Sequence, residues 1–218
     1  MINISASAGA FVTACRACFA GGHPEVVLEL GSRDGGQAIG IARAFPETRV
    51  YSFECNPRSV EKARRYTQDF HNIEVVPKAA WRETGRVDFG VVGNGNDGAS
   101  SLFRAVDGHP LGEYQQEFIQ VDATRLDDWA RIEGVTSVGA VFADLQGAEL
   151  AALHGMGGLL NDVLVVQTGV QYAAMYEDVP LYQDMDGFMS GQGFACLTRT
   201  EMSDGWWGDC VYVRRVVA

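Results

Sequence analysis

The chain has 218 residues, 47% of them hydrophobic, which fits one α/β domain with a sizeable core and excludes a disordered polymer. A formal net charge of −11 and a pI of about 4.7 set most of the surface against a phosphate backbone, so nucleic acid is not the expected partner. No run approaches the ~18 apolar residues of a membrane span, so no membrane partner is expected either.

The first twenty residues lack the basic start and long apolar centre of a secretory leader. The five cysteines are scattered, and Cys15-x-x-Cys18 has no second pair, so free thiols in a reducing cytoplasm are expected, with no metal site. Residues 5–20 read as a short amphipathic helix, capped by Ser5 or Ser7, before Gly21-Gly22-His23-Pro24 breaks the chain. Val26 to Leu30 is an apolar strand interrupted only by Glu29. A glycine turn, Gly31 to Gly36, leads into a helix ending near Phe45 and Pro46. Arg49 to Glu54 is a second strand, and Asn56-Pro57 opens a second helix with proline at its first position. Ile73 to Val76 is a third strand, followed by a loop and turn over 78–85 and an extra strand over 87–92.

Residues 93–112, rich in Gly, Asn and Asp, read as a mobile loop. Phe118 to Val121 alternates and is expected to pair with the strand at Val87. A helix follows over 126–132, then a buried strand over 138–145 that contains Asp144. A helix over 148–156, stopped by Gly157-Gly158, precedes a strand over 163–166. A helix over 181–190 is followed by closing strands at 194–198 and 210–216, joined through Gly205-Trp206-Trp207-Gly208 as an antiparallel hairpin. Strands alternating with helices predict a mostly parallel sheet with helices on both faces. One domain over 1–218 is expected, with residues 1–24 as a helical extension.

In an open α/β sheet, ligands bind beyond the carboxyl ends of the strands. Glu29, Glu54 and Asp144 stand at or near such ends. Glu54 follows Gly31 at close to the ~20-residue spacing at which a carboxylate accepts hydrogen bonds from both hydroxyls of a ribose. A dinucleotide fingerprint needs a middle glycine to admit the pyrophosphate, and Arg33 stands there. The pattern is instead Glu29-x-Gly31-x-x-x-Gly35, which suits S-adenosylmethionine, a cofactor with a ribose and no phosphate, better than a nicotinamide cofactor.

The pairing of VVLELGSRDGG with VYSFECNP resembles class I methyltransferases. GASSL at Gly98 to Leu102, RLDDW at Arg125 to Trp129, ADLQGAELAALHGMG at Ala143 to Gly157 and YEDVPLYQDMDGFMSGQGF at Tyr176 to Phe194 are similar to FkbM-type methyltransferases, in order, over about 26–197. The resemblance implies a Rossmann-like class I methyltransferase fold and S-adenosyl-L-methionine as donor. It also implies O-methylation of a small hydroxyl-bearing acceptor such as a sugar or glycosylated metabolite. By the same resemblance Glu29, Gly31, Ser32 and Gly35 would line the methionine end, Glu54 would hold the ribose, and Ala79 would lie on the adenine side. Ser100 and Ser101 would lie near the cofactor, with Asp144 where the reacting methyl sits.

Two positions depart from the family pattern. Phe142 replaces a lysine two residues before Asp144, and Gly169 replaces a glutamate after the next strand. The two departures motivate an alternative, a cofactor-binding or interaction module that has lost acceptor-side residues. Methyl transfer from a sulfonium mainly requires the acceptor oxygen held in line with the methyl, plus a base for its proton. Asp144 is the first candidate for that base or for an orienting group, and capping of the helix near Ala148 is its other reading. His109 is the second candidate base, and a plain polar loop residue is its other reading. Trp206-Trp207, Tyr172 and Tyr176 either line an acceptor pocket or pack structurally. A homo-oligomer is compatible with the sequence.

Overall fold

Short apolar runs separated by amphipathic stretches become strands and helices in strict alternation as far as residue 76. The computed structural model describes residues 6–93, 96–108, 112, 114–202 and 205–215. Helix α1 (Ala6–Cys18) precedes β1 (Val26–Leu30), α2 (Gly36–Ala44), β2 (Arg49–Phe53), α3 (Pro57–Thr67) and β3 (Ile73–Val76). Short β4 (Ala79–Ala80), β5 (Gly85–Val92) and β6 (Gln116–Thr124) come next, then α4 (Leu126–Glu133), β7 (Ala140–Ala143), α5 (Glu149–His154) and β8 (Val165–Gln171). Helix α6 (Tyr182–Gly191) and strands β9 (Phe194–Arg199) and β10 (Trp207–Arg214) complete the fold.

Seven strands form one sheet in the order β3-β2-β1-β7-β8-β10-β9. The first five are parallel, and β10 inserts antiparallel between β8 and β9. This is the α/β Rossmann-like arrangement with a C-terminal antiparallel hairpin. Register decides what meets at its carboxyl edge: Leu30 pairs with Phe53 on one side and Ala143 on the other. The next residues, Gly31, Glu54 and Asp144, therefore emerge side by side.

Side chains alternate across each buried strand. Leu28, Leu30, Phe53 and Val141 join Trp129, Leu153, Met156 and Met189 on one face. Val27, Val50, Phe142 and Val165 join Phe11, Ile41 and Phe45 on the other. Phe11 of α1 meets the Phe142 ring edge-on at 5.6 Å, so the first helix closes one face of the sheet. Truncating a buried aromatic of this kind costs about 3–5 kcal/mol.

The structure differs from the sequence expectations where pairing is non-local. Ala79–Ala80 lies in the expected loop, yet it pairs with Ala123 and Thr124 and joins β5 and β6 in a second, three-stranded sheet. Strand β8 continues past Val166 to Gln171 because β10 pairs with it from Val213 back to Trp207. Strand β7 is confined to Ala140–Ala143, and Gly157 opens a 3-10 helix, Gly157–Asp162, where a plain stop was expected. Within 93–112, expected to be mobile, Asp97–Ala99 forms a 3-10 turn, Ser101 bridges to Gly90, and Ala99 and Ser101 are buried. His109 lies outside the described residues. Among the described residues no helix is long and apolar enough to cross a membrane.

Candidate functional site

The turn after β1 is held by backbone. Gly31 N and Ser32 N both donate to Phe53 O at 3.0 Å. Gly31 has φ +91°, and a Cβ there would sit 2.0 Å from the Asp144 carbonyl oxygen, so only glycine lets the two strand ends approach this closely. Gly35 has φ +82° at the start of α2, where a Cβ would meet Thr67 of α3 at 2.7 Å. It is a packing position and does not line the cleft.

Arg33 holds a left-handed conformation, φ +54°, which costs a non-glycine residue roughly 1–2 kcal/mol. Two contacts offset that cost. Its N–H donates to Glu54 Oε2 at 2.7 Å, and its guanidinium reaches Asp97 Oδ1 through Nε at 2.8 Å and Nη2 at 2.6 Å. The Arg33 side chain thus spans from the first turn to the Asp97–Ala99 turn.

Glu54 accepts from Arg33 N through one oxygen and from Asn56 N, at 2.8 Å, through the other. Burial raises its carboxyl above the ordinary value, and these N–H donors pull it back. A carboxylate offers about four acceptor positions, so two remain for a ribose diol. Glu29 is fully buried beneath the turn, where Ser52 donates to Oε2 at 2.6 Å and Ser32 Oγ lies 2.6 Å from Ser52 Oγ. Burial pushes its carboxyl up to about 8. Its Oε1 has no partner among the described residues, an orphan that suits the cationic amino group of a methionine tail.

Two cavities meet at this edge. The inner one, about 150 Å³, has an apolar wall of Phe53, Ala79, Ala80, Phe89 and Leu102 and a polar wall that includes Glu54, Asn56 and Asp97. That division matches an adenine ring beside a ribose. Gly31, Ser100 and Asp144 also line it, whereas Glu29, Ser32, Gly35 and Ser101 stand behind the wall. Ser100 Oγ accepts from Val92 N at 3.0 Å. Ser101 Oγ donates to Gln146 O at 2.7 Å, tying the second sheet to the loop after β7.

The outer cavity, about 230 Å³, shares Arg33, Gly98, Asp144 and Gln146 with the inner one. Asp144 sits deep in the cleft yet keeps accessible surface, because that surface is the cavity wall itself. Its Oδ1 accepts from Gln146 Nε2 at 2.7 Å; burial raises its carboxyl, and Gln146 and Arg33 pull it down. It does not cap α5, whose N-cap residue Ala148 accepts no side-chain bond. Glu149 organises that loop instead, accepting from Leu145 N at 2.7 Å and Gly147 N at 2.9 Å, with burial pushing its carboxyl up to about 7. Tyr176 OH donates to Ala99 O at 2.9 Å, and Tyr114, Gln171, Tyr176 and Trp207 complete the outer wall.

Phe142 points into the core against Phe11, away from the cleft. Gly169 faces the outer cavity: a Cβ there would lie 3.3 Å from Glu149 Oε1 and 3.9 Å from Asp144 Oδ1. Directly across the β8–β10 pair stands Asp209, which sequence reasoning missed because the last strand was expected to begin at Cys210. The available signal was the alternation Trp207-x-Asp209, which puts both side chains on one face of a strand starting earlier. Among the described residues no group of three or more His, Cys, Asp or Glu is placed to hold a metal ion.

Comparison with known proteins bears on this geometry. The family model for the methyltransferase FkbM domain matches residues 30–196. The 2-O-methyltransferase NoeI of Sinorhizobium fredii is 28% identical over 170 residues, covering 74% of this chain and 70% of that protein. Aeropyrum pernix fibrillarin with natively bound S-adenosyl-L-methionine superposes with TM-score 0.52 and 15% identity; the match spans 87% of this chain and 66% of the fibrillarin. The magnesium protoporphyrin IX methyltransferase of Synechocystis with its bound donor gives TM-score 0.54 and 12% identity, over 96% of this chain and 78% of that one.

Proposed function

The chain belongs to the FkbM methyltransferase family and takes S-adenosylmethionine as its methyl donor, and from that premise we propose that it methylates a hydroxyl of a small, sugar-like acceptor held in the outer cavity. One observation carries this reading: the outer cavity opens onto the donor cavity at Asp144 and Gln146, and its wall mixes hydroxyl partners with aromatic faces. Asp144, Gln171 and Asp209 supply acceptors for hydroxyl hydrogens, while Tyr114 and Trp207 offer surfaces for the apolar faces of a pyranose. The name of the NoeI relative, a 2-O-methyltransferase, supports an oxygen acceptor.

The donor, when bound, supplies an electrophilic methyl on a sulfonium. Glu54 would hold its ribose through the two lone-pair positions left after Arg33 N and Asn56 N are satisfied. Phe89, Leu102 and Ala79 would form the apolar wall for the adenine. Glu29, buried behind the wall with one oxygen unpartnered, would offer that oxygen to the methionine amino group, and Gly31 would bring the backbone up to the methionine end. Asp144, at the junction, orients the acceptor hydroxyl so that oxygen, methyl carbon and sulfur fall in line.

Incubation with methyl-labelled donor and methyl glycosides of hexoses, 6-deoxyhexoses and pentoses tests the reading. The label is expected in a sugar ether, and Asp144→Ala is expected to cut the rate about 10²–10³-fold while S-adenosylhomocysteine affinity changes less than about 3-fold. Label appearing only in amine or thiol acceptors would sink the reading.

A further inference from the structure

We propose that Asp209, on the last strand, is the proton acceptor for the methylated hydroxyl, reaching the room that Gly169 leaves open. The inference rests on the O-methylation reading above and goes beyond it by assigning the base. Three carboxylates line the outer cavity, and two of them already accept hydrogen bonds from the chain. Glu149 holds the backbone of the loop after β7 through Leu145 N and Gly147 N, and Asp144 is engaged by the Gln146 side chain. The Asp209 carboxylate makes no hydrogen bond or ion pair within the described residues, while it lines the same wall.

Strand geometry aims it. Asp209 N donates to Thr200 Oγ1 at 3.0 Å, and its carbonyl accepts from Thr200 N at 2.8 Å, so its backbone hydrogen-bonds toward β9. Its pairing with Gly169 across β8–β10 is therefore the kind without backbone hydrogen bonds, with Cα atoms only about 4.5 Å apart and side chains on one face. On that face a Cβ at 169 would touch Glu149 and approach Asp144. Glycine keeps the space clear, and the neighbouring strand supplies the acid. An acid absent from one strand is thus no sign of lost catalysis when its cross-strand partner carries one.

In the step assigned here the acceptor oxygen bonds to the methyl carbon as the carbon–sulfur bond breaks with its electron pair left on sulfur. The hydroxyl proton passes to the Asp209 carboxylate, which returns it to water. Burial, with Asp144 adding to it, pushes the Asp209 carboxyl up to about 6. Its basic form therefore accumulates as pH rises through about 6, so the rate climbs there and levels off above. The other titratable groups on this wall are Asp144, Glu149, Tyr114, Tyr176 and Arg33. The acid limb belongs to Asp209 only if its removal abolishes the limb.

Rate against pH is to be measured for wild type, Asp209→Asn and Asp209→Glu with the glycoside panel, alongside S-adenosylhomocysteine affinity and thermal midpoint. A donor-free readout comes from carboxyl-¹³C aspartate NMR, in which one resonance titrating near pH 6 is expected to vanish in Asp209→Asn. Asp209→Asn is expected to lose about 10²–10⁴-fold in kcat and its acid limb, with product affinity and midpoint kept. Asp209→Glu is expected to regain part of the rate with a displaced limb. An Asp209→Asn enzyme that keeps wild-type kcat and the limb overturns the assignment and leaves the O-methylation reading standing. So does an Asp209 resonance titrating below pH 4. A wild type that binds S-adenosylhomocysteine yet methylates no glycoside overturns the acceptor reading and the role of Asp209 with it.

Discussion

The donor cavity takes much of its polar wall from two neighbouring turns, with Gly31 and Arg33 after β1 and Glu54 to Asn56 after β2, and most of the bonds that shape these turns involve backbone N–H groups. The outer cavity gathers Asn96, Tyr114, Asp144, Gln171, Tyr176 and Asp209 from segments scattered from the middle of the chain to its last strand. Backbone-held turns tolerate few substitutions, because the contacts depend on φ, ψ and the absence of a Cβ. A wall of side chains on strand ends and loops can be rewritten residue by residue while the sheet stays the same. One region is thus suited to a fixed cofactor and the other to the selection proposed for it, and they share Arg33, Gly98, Asp144 and Gln146.

The hardest way to break this division is at the point of contact. Gly31→Ala puts a Cβ 2.0 Å from the Asp144 carbonyl oxygen in a backbone with φ +91°. The expected result is a loss of about 3 kcal/mol or more, read as a lower denaturant midpoint, together with loss of both donor binding and methyl transfer. A variant with a wild-type midpoint would mean that the two strand ends are not locked together.

Glu54→Ala should break the donor side alone. It removes the carboxylate proposed to hold the ribose and frees Arg33 N and Asn56 N, and hydrogen bonds to a charged group contribute about 1.5–3 kcal/mol each. S-adenosylhomocysteine affinity by calorimetry is expected to fall about 100-fold, while kcat at saturating donor stays within about 3-fold. Equal losses in both quantities would erase the distinction between the regions.

The same division explains what the chain's order of residues made legible. Val26–Leu30, Arg49–Phe53 and Asn56-Pro57 carry local signals, apolar runs and a capped helix start, and each forms where expected. Glu54 and Asp144 fall at strand ends because short buried strands stop where polarity begins. Local signals do not encode pairing between distant segments. Ala79–Ala80 becomes a strand only because Ala123 and Thr124 lie beside it, and β8 runs on to Gln171 only because β10 pairs with it. Glu29 and Gly35 read as cofactor residues, but their places, one under the turn and one against Thr67, depend on how the helices pack. Asp209 was invisible for the same reason, since its meaning comes from Gly169 across the sheet.

The finest test of the division is Tyr176→Phe, because Tyr176 braces both regions through one hydroxyl. That hydroxyl donates to Ala99 O at 2.9 Å, and Ala99 ends the turn whose first residue, Asp97, pairs with Arg33. Removing it leaves a carbonyl in a buried turn without this donor, a loss of about 1 kcal/mol in stability. The aromatic ring stays, so the packing with Met175 and Val179 is kept. The turn loosens on its acceptor-facing side, where Tyr176 lines the wall, whereas Arg33 keeps its second anchor through its own N–H on Glu54. The acceptor KM is therefore expected to rise about 3- to 5-fold while S-adenosylhomocysteine affinity shifts less than about 2-fold. If product affinity instead moves as far as the acceptor KM, the Asp97–Arg33 link transmits the change across the cleft, and the two cavities act as one.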